Sequence, residues 1–223
     1  VNDAPQGSEG WRLARLGKVT ASRIADLAAR TKTGYGASRA NYMAELIVER
    51  LTGVPVDGYQ NEAMRWGLEQ EPAARLAYEF IYDQTIEQVG FVPHPLISDC
   101  GCSPDGLVGN LGLIEIKAPN TATHIDTLLT EQIPDKYLKQ MQLQMACTGR
   151  HWSDFVSYDP RMPPSMQLWV QRIERDPRLI SDLESEIRQF IRELEQRINR
   201  LSQRYARAAM VTRNVRLQPS NPG

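Results

Sequence analysis

Apolar residues recur every three or four positions in the last third of the chain, at Leu179, Leu183, Ile187, Phe190, Leu194, Ile198 and Leu201, and predict one long amphipathic helix. Packing on the chain's own sheet is the plainest use of such a stripe, ahead of an oligomer seam or a ligand-facing arm. Near the start, Thr20-Ala21-Ser22 ahead of Ile24, Leu27 and Ala28 reads as an N-cap and a helix. The polar, glycine-bearing run over 31–37 reads as a basic loop. A helix follows, with Tyr42, Met43, Leu46, Ile47 and Leu51 apolar, and closes near Gly53. From Asn61 to Ile81 the helical spacing runs through Met64, Leu68, Leu76 and Phe80, and Pro72 makes it one kinked helix or two short ones.

The period then changes to two. Thr85 to Val92 and Leu107-Val108 are β-rich, and Gly109-Asn110-Leu111-Gly112 supplies turn chemistry just before Leu113-Ile114-Glu115-Ile116-Lys117. This predicts a hairpin whose second strand turns Ile114 and Ile116 to one face and Glu115 and Lys117 to the other. A helix over 136–148, strands over 154–158 and 166–173, and the long helix complete an α/β or α+β pattern, a central mixed β-sheet flanked by helices. No internal repeat is visible.

The length of 223 residues, with 41% hydrophobic and 24% charged positions, suits one good core. The expected organisation is a flexible lead over 1–9, one domain over 10–209 and an irregular or disordered tail over 210–223, where Pro, Ser, Asn and Gly accumulate. No apolar run approaches the ~18 residues of a bilayer span, and the first thirty residues lack the apolar centre of a signal peptide, so a cytoplasmic location is expected. Cys100, Cys102 and Cys147 are too few for a disulfide framework or a four-ligand zinc or iron–sulfur site. His94, His124 and His151 are scattered without metal-ligand spacing.

Net charge is −1, yet the charges are segregated: 8 Lys/Arg against 5 Asp/Glu over 1–50, 3 against 13 over 51–135, and 15 against 9 over 136–223. An acidic middle between basic flanks fits a cation site set among surfaces for a polyanion, with solvated charged faces as the plain alternative.

The acidic middle holds Ser103-Pro104-Asp105-Gly106, then the hairpin, then Glu115-Ile116-Lys117. Pairing of the two strands would set Asp105 beside Glu115, with Lys117 on the same face. Mg²⁺ takes oxygen ligands and uses only one or two protein carboxylates, leaving positions for water and phosphate. Lys117 would then stabilise developing charge. A surface Glu/Lys ladder is the ordinary alternative. An Arg with a Ser near a helix N-terminus, as in Arg15 and Ser22, makes a natural phosphate site. A P-loop is excluded because Val19 follows Gly17-Lys18, and no G-x-S-x-G elbow exists.

Pro104-Asp105, nine residues, then Glu115-Ile116-Lys117 resembles the PD-(D/E)xK nuclease signature. The flanking blocks narrow the likeness: Gly10-Trp11 with Arg15 to Ser22, Trp66-Gly67 with Glu71, Cys102 to Leu107, Tyr137 with Gln140 and Gln142, and Tyr158 to Met162. In this order the chain, from Gly10 to Glu195, is similar to the bacteriophage lambda exonuclease family, the YqaJ-type viral recombinases. The resemblance implies a restriction-endonuclease-like fold and a Mg²⁺-dependent exonuclease that digests one strand of linear duplex DNA from its 5′ end. Release of mononucleotides would leave 3′ overhangs for phage-type recombination. It implies two ions, with Mn²⁺ as a substitute, a homotrimeric ring around DNA, a single-strand annealing protein as partner, and a phage or prophage origin in a bacterial cytosol. Carried over by position, Asp105, Glu115 and the Ile116 carbonyl match metal ligands, Lys117 the catalytic lysine, Glu71 a helix-borne acid and Gln140 a catalytic-site glutamine. Arg15, Ser22 and Ser103 match the pocket for the terminal 5′ phosphate. Glu71 and Gln140 rest mainly on this likeness, and Trp66 reads as core packing. The arginines after Gln196 lie outside these blocks, and a role for them in DNA, partner or oligomer contacts is left open beside the plain reading of a solvated helix end. An endonuclease or resolvase with the same core, and a DNA-binding protein with a relict site, are the alternatives; a RecB-like iron–sulfur nuclease lacks its fourth Cys.

Overall fold

The hairpin forms where the period-two pattern lies. The computed structural model describes residues 4–32, 34–56 and 62–216, with backbone alone over 207–216. In it β7 (Gly106–Val108) pairs antiparallel with β8 (Gly112–Lys117) across a turn in which Gly109 takes a positive φ of 51°. Gly112 opens β8 because a Cβ there would lie 2.1 Å from the Trp152 ring. On its other edge β8 runs parallel to β9 (Trp152–Tyr158), which pairs antiparallel with β10 (Leu168–Glu174). With β4 (Ile86–Glu87) at the far edge, the central sheet is mixed, in the order β10-β9-β8-β7-β4.

Helices cover both faces. On one, α4 (Glu62–Tyr82) lays Ala74 and Tyr78 against Ile114, Ile116 and Val156. Pro72 is accommodated within one continuous helix. The expected start at Asn61 lies outside the described residues. On the other face α6 (Asp135–Thr148), stopped by left-handed Gly149, packs Met141 against Phe155. The remaining face of α6 meets a second core shared with α3 (Ala37–Thr52) and α7 (Pro177–Arg216). There Leu183, Ile187, Phe190 and Leu194 are buried, so α7 uses its stripe on its own chain. Helix α7 runs into the stretch expected to be irregular and reaches Arg216; 217–223 lie outside the described residues. At the other end 1–3 also lie outside, while Ser8 caps α1 (Glu9–Arg15) and Gln6 donates to the Val89 and Pro104 carbonyls.

Some local expectations resolve differently. The basic loop is a small hairpin of β2 (Arg30–Thr31) and β3 (Gly34–Tyr35); position 33 lies outside the described residues. The helix expected after Thr20 is a 3₁₀ turn (Ala21–Arg23) leading into a single α-turn, α2 (Ile24–Leu27), and neither has a side-chain cap. Ser22 is not the N-cap; its hydroxyl is within reach of Arg15. An unanticipated α5 (Thr121–Thr130) follows β8, capped by Asn120.

A small second sheet sets the site's geometry. Here β6 (Cys100–Cys102) lies between β5 (Val92–Pro93), antiparallel, and β1 (Val19–Thr20), parallel, with Thr20 opposite Gly101. That register carries Ser22 and Ser103, each two residues further on, to neighbouring positions.

The turn after β9 is locked by Asp159, fully buried and ion-paired at 2.7 Å with Arg161. Burial disfavours the Asp159 charge, but the Arg161 guanidinium, Thr121 and the Arg161 N–H outweigh it and hold the carboxyl down at about 2. Its folded value lies below its unfolded one, so the stabilisation is present above the ordinary carboxylate range and lost as pH falls toward about 2. The expected contribution is about 1–2 kcal/mol, reduced by solvent around Arg161. Unfolding free energies from urea titrations at pH 5 and pH 2 should differ by less, by about this amount, in Asp159→Asn than in the parent protein; equal pH dependence would refute it.

Candidate active site

Where β7 pairing ends, the chain brings two carboxylates together. Gly106 opposes Ile114, so Asp105 falls opposite Glu115 just beyond the ladder, and its Oδ2 accepts from the Ile116 N–H at 2.6 Å. In an extended strand the N–H and C=O of one residue face the same edge, so the Ile116 carbonyl faces Asp105 too.

Glu115 points to the α6 face, as alternation requires, but it does not meet solvent: it is 1% exposed. Two amides on successive turns of α6 reach it. Gln140 Nε2 donates to Oε1 and Gln144 Nε2 to Oε2, both at 2.6 Å. The Lys117 ammonium contacts the same Oε1 and lies 5.2 Å from the Tyr137 ring centre. On α4, Glu71 precedes Ala74 and Tyr78 by one and two turns, so the stripe that buries those residues carries Glu71 toward the C-terminal end of β8. There it pairs with Arg75 at 2.5 Å.

The electrostatics are those of a crowded acid cluster. Burial lifts the Asp105 pKa well above the carboxylate range, and the Glu115 and Glu71 charges push it the same way against Lys117. Burial also raises Glu71, while Arg75 and Lys117 pull it back. For Lys117 burial works to lower the pKa, but Glu115 and Asp105 outweigh it and raise it, so Lys117 is a firm cation.

These donors suit a hard divalent cation, being oxygens with negative charge in excess. Among the described residues no group of three or more His, Cys, Asp or Glu side chains is gathered as ligands. The available set is two carboxylates and a main-chain carbonyl, enough for an ion that keeps several waters.

A second cluster lies beside the first. The Arg15 guanidinium stacks 4.3 Å from the Trp11 ring centre and donates to Ser103 Oγ at 3.1 Å, with Ser22 Oγ at 3.5 Å. Trp11 Nε1 donates to the same Ser103 hydroxyl at 2.9 Å. Burial lowers the Arg15 pKa, against Tyr42, Cys102 and Glu49. Among the described residues no carboxylate forms an ion pair with Arg15. A partly buried cation whose partners are hydroxyls is a site for an anion.

All the sequence candidates thus fall in two adjoining clusters: Asp105, Glu115, Ile116, Lys117, Glu71 and Gln140 in one, Arg15, Ser22 and Ser103 in the other. Sequence reasoning missed Gln144 and gave Trp11 no role. The signal for Gln144 was its i, i+4 spacing from Gln140, which sets both amides on one face of α6. Trp66 lies outside the core cluster against α4, with the Arg161 guanidinium 4.4 Å from its ring centre.

Residues 10–151 match the model of the YqaJ-like viral recombinase domain. Two crystal structures of LHK-Exo, an alkaline exonuclease from Laribacter hongkongensis, one in complex with dAMP, match with TM-scores of 0.84 and 0.85 at 53% identity, over 90% of this chain and 100% of theirs. A phage-related exonuclease from Haemophilus somnus 129PT shares the fold at a TM-score of 0.69 and 16% identity, over 83% of this chain and 96% of its own. No curated protein matches. The chain belongs to the YqaJ-like viral recombinase family, with the fold of these exonucleases.

Proposed function

We propose that this protein is a nuclease that degrades linear duplex DNA 5′ to 3′, dependent on Mg²⁺ or, as a substitute, Mn²⁺, releasing 5′-mononucleotides and leaving 3′ overhangs. The observation that carries the reading is the adjacency of the Asp105–Glu115–Lys117 centre to the Arg15–Ser22–Ser103 anion pocket. One half suits hydrolysis of a phosphodiester, the other suits capture of a terminal phosphate. The 53% identity to an alkaline exonuclease supports the same class of reaction.

Asp105, Glu115 and the Ile116 carbonyl would hold a divalent cation, with Glu71 near enough to serve a second. Such ions supply Lewis acidity at the scissile phosphate and lower the pKa of water. Lys117, already cationic, stabilises charge growing on the phosphoryl oxygens and orients a water rather than taking its proton. Gln140 fixes the Glu115 carboxylate. Arg15 and the two serines bind the 5′ phosphate and so set the polarity.

The assembly we propose is a homotrimeric ring acting with a single-strand annealing protein in a bacterial cytosol. An outer face of α4, with Phe80 90% and Leu76 67% exposed, offers apolar surface suited to a second copy. No described helix is long and apolar enough to cross a membrane.

The test uses linear duplex labelled at either end of a strand, beside closed circular duplex, with Mg²⁺ or with EDTA. Release of 5′-terminal mononucleotides from linear DNA alone, abolished by EDTA, is expected. Cutting of the circle would replace this reading with an endonuclease, and binding without cleavage with a relict site. Arg15→Ala should reduce the preference for 5′-phosphorylated over 5′-hydroxyl ends by about 10-fold or more, the scale of one charge-assisted contact. An unchanged ratio would remove Arg15 from the pocket.

A further inference from the structure

We infer that Gln144 is a positioning residue for the cation site: it holds Glu115 Oε2 so that this oxygen keeps a lone pair for the ion. The inference rests on the metal-dependent reading above.

The geometry is asymmetric. Glu115 Oε1 already has two partners, the Gln140 amide and the Lys117 ammonium, whereas Oε2 has one, the Gln144 amide. A carboxylate oxygen carries two lone pairs, so Oε1 is filled and Oε2 is half used. At Asp105 the same holds: Oδ2 takes the Ile116 N–H, and among the described residues Oδ1 has no hydrogen-bond partner. One oxygen of each carboxylate is thus tied and oriented by its neighbours while ligand capacity remains on each group.

Gln144 carries a cost in this role. Its side chain is fully buried, and its own carbonyl Oε1 has no hydrogen-bond partner among the described residues. A buried acceptor without a donor lowers stability. A Leu or Met would fill the same space in α6 without an orphaned atom, and the positions around it, Met141, Leu143 and Met145, are such residues. What an apolar residue could not do is donate to Glu115. Groups that orient a metal ligand from behind change cation affinity or activity by about 10–100-fold when lost.

The test compares the parent protein with Gln144→Met. Mn²⁺ binding is read by electron paramagnetic resonance in the absence of DNA, DNA-end binding in EDTA, and Tm without metal. The expected result is a rise of about 10–100-fold in the Mn²⁺ dissociation constant, with end binding unchanged and Tm little moved, because loss of the orphan carbonyl and loss of the Glu115 Oε2 donor act in opposite directions. A purely structural glutamine would give the reverse, a lower Tm with Mn²⁺ affinity intact, and that result overturns the inference, as does absence of Mn²⁺ binding in the parent protein. Mn²⁺ binding weakened in the variant, in a parent protein that cleaves no DNA, would uphold the role of Gln144 and refute the nuclease.

Discussion

Lys117→Ala should lower single-turnover cleavage of linear duplex by about 10²–10³-fold, the loss found when one preorganised charge donor is removed from a reacting centre. Affinity for 5′-phosphorylated ends should stay within a few-fold of the parent protein, because the proposed phosphate pocket is built from Arg15, Ser22 and Ser103, on α1, the 3₁₀ turn and the segment after β6. The two effects separate because Lys117 is tied to Glu115 and not to the pocket. Glu115 keeps both amide donors in the variant, so the fold should survive. Lys117→Arg should not restore full turnover, since a planar guanidinium cannot take the place of a compact ammonium against Glu115 and Tyr137. Retention of more than about a tenth of the activity in Lys117→Ala would mean that Lys117 is not part of the chemistry.

The second large effect has opposite signs in two assays. Asp105→Asn should abolish cleavage and yet raise Tm in EDTA. Buried against Glu115 and Glu71, Asp105 has a pKa lifted well above the carboxylate range. A folded value above the unfolded one gives stability that is present at low pH and lost as pH rises through the folded pKa. Without a divalent ion the parent protein should therefore weaken from the carboxylate range upward, and the neutral amide should flatten that slope. Removing one poorly compensated buried charge is worth about 1–3 kcal/mol, or roughly 2–4 °C per kcal/mol in a chain of this size. Mg²⁺ should stabilise the parent and leave the variant almost unmoved. A lower Tm for Asp105→Asn at neutral pH in EDTA would show that Asp105 is a structural acceptor for the Ile116 N–H rather than part of a charge cluster.

The hairpin and the side chains of Asp105, Glu115 and Lys117 were legible because strand alternation is a local property that five residues suffice to display. The long helix was legible for the same reason. Whether Glu115 faced water was not: E-x-K reads equally well as a solvated ladder, and only the packing of α6 across that face buries it. Gln144 was hidden because its partner lies 29 residues away and on another element. Ser22 illustrates a different limit. A serine before a helix is an N-cap by local rules, and here Arg15, on the preceding helix α1, competes for the hydroxyl. The convergence of Ser22 with Ser103 depends on a two-residue parallel pairing of β1 with β6, too short for any periodicity to announce.

The spacing of the two clusters along the chain bounds the step length of the proposed reaction. Ser103 and Asp105 stand two residues apart on one segment, a reach of at most ~7 Å of chain. With a terminal phosphate seated on Ser103, the hydrolytic centre is tethered within that distance, so bonds deep in the strand lie beyond it. On the proposed reading the main chain would be the gauge that meters the cut, and lengthening it between Ser103 and Asp105 is expected to disturb the unit of digestion before it disturbs either cluster.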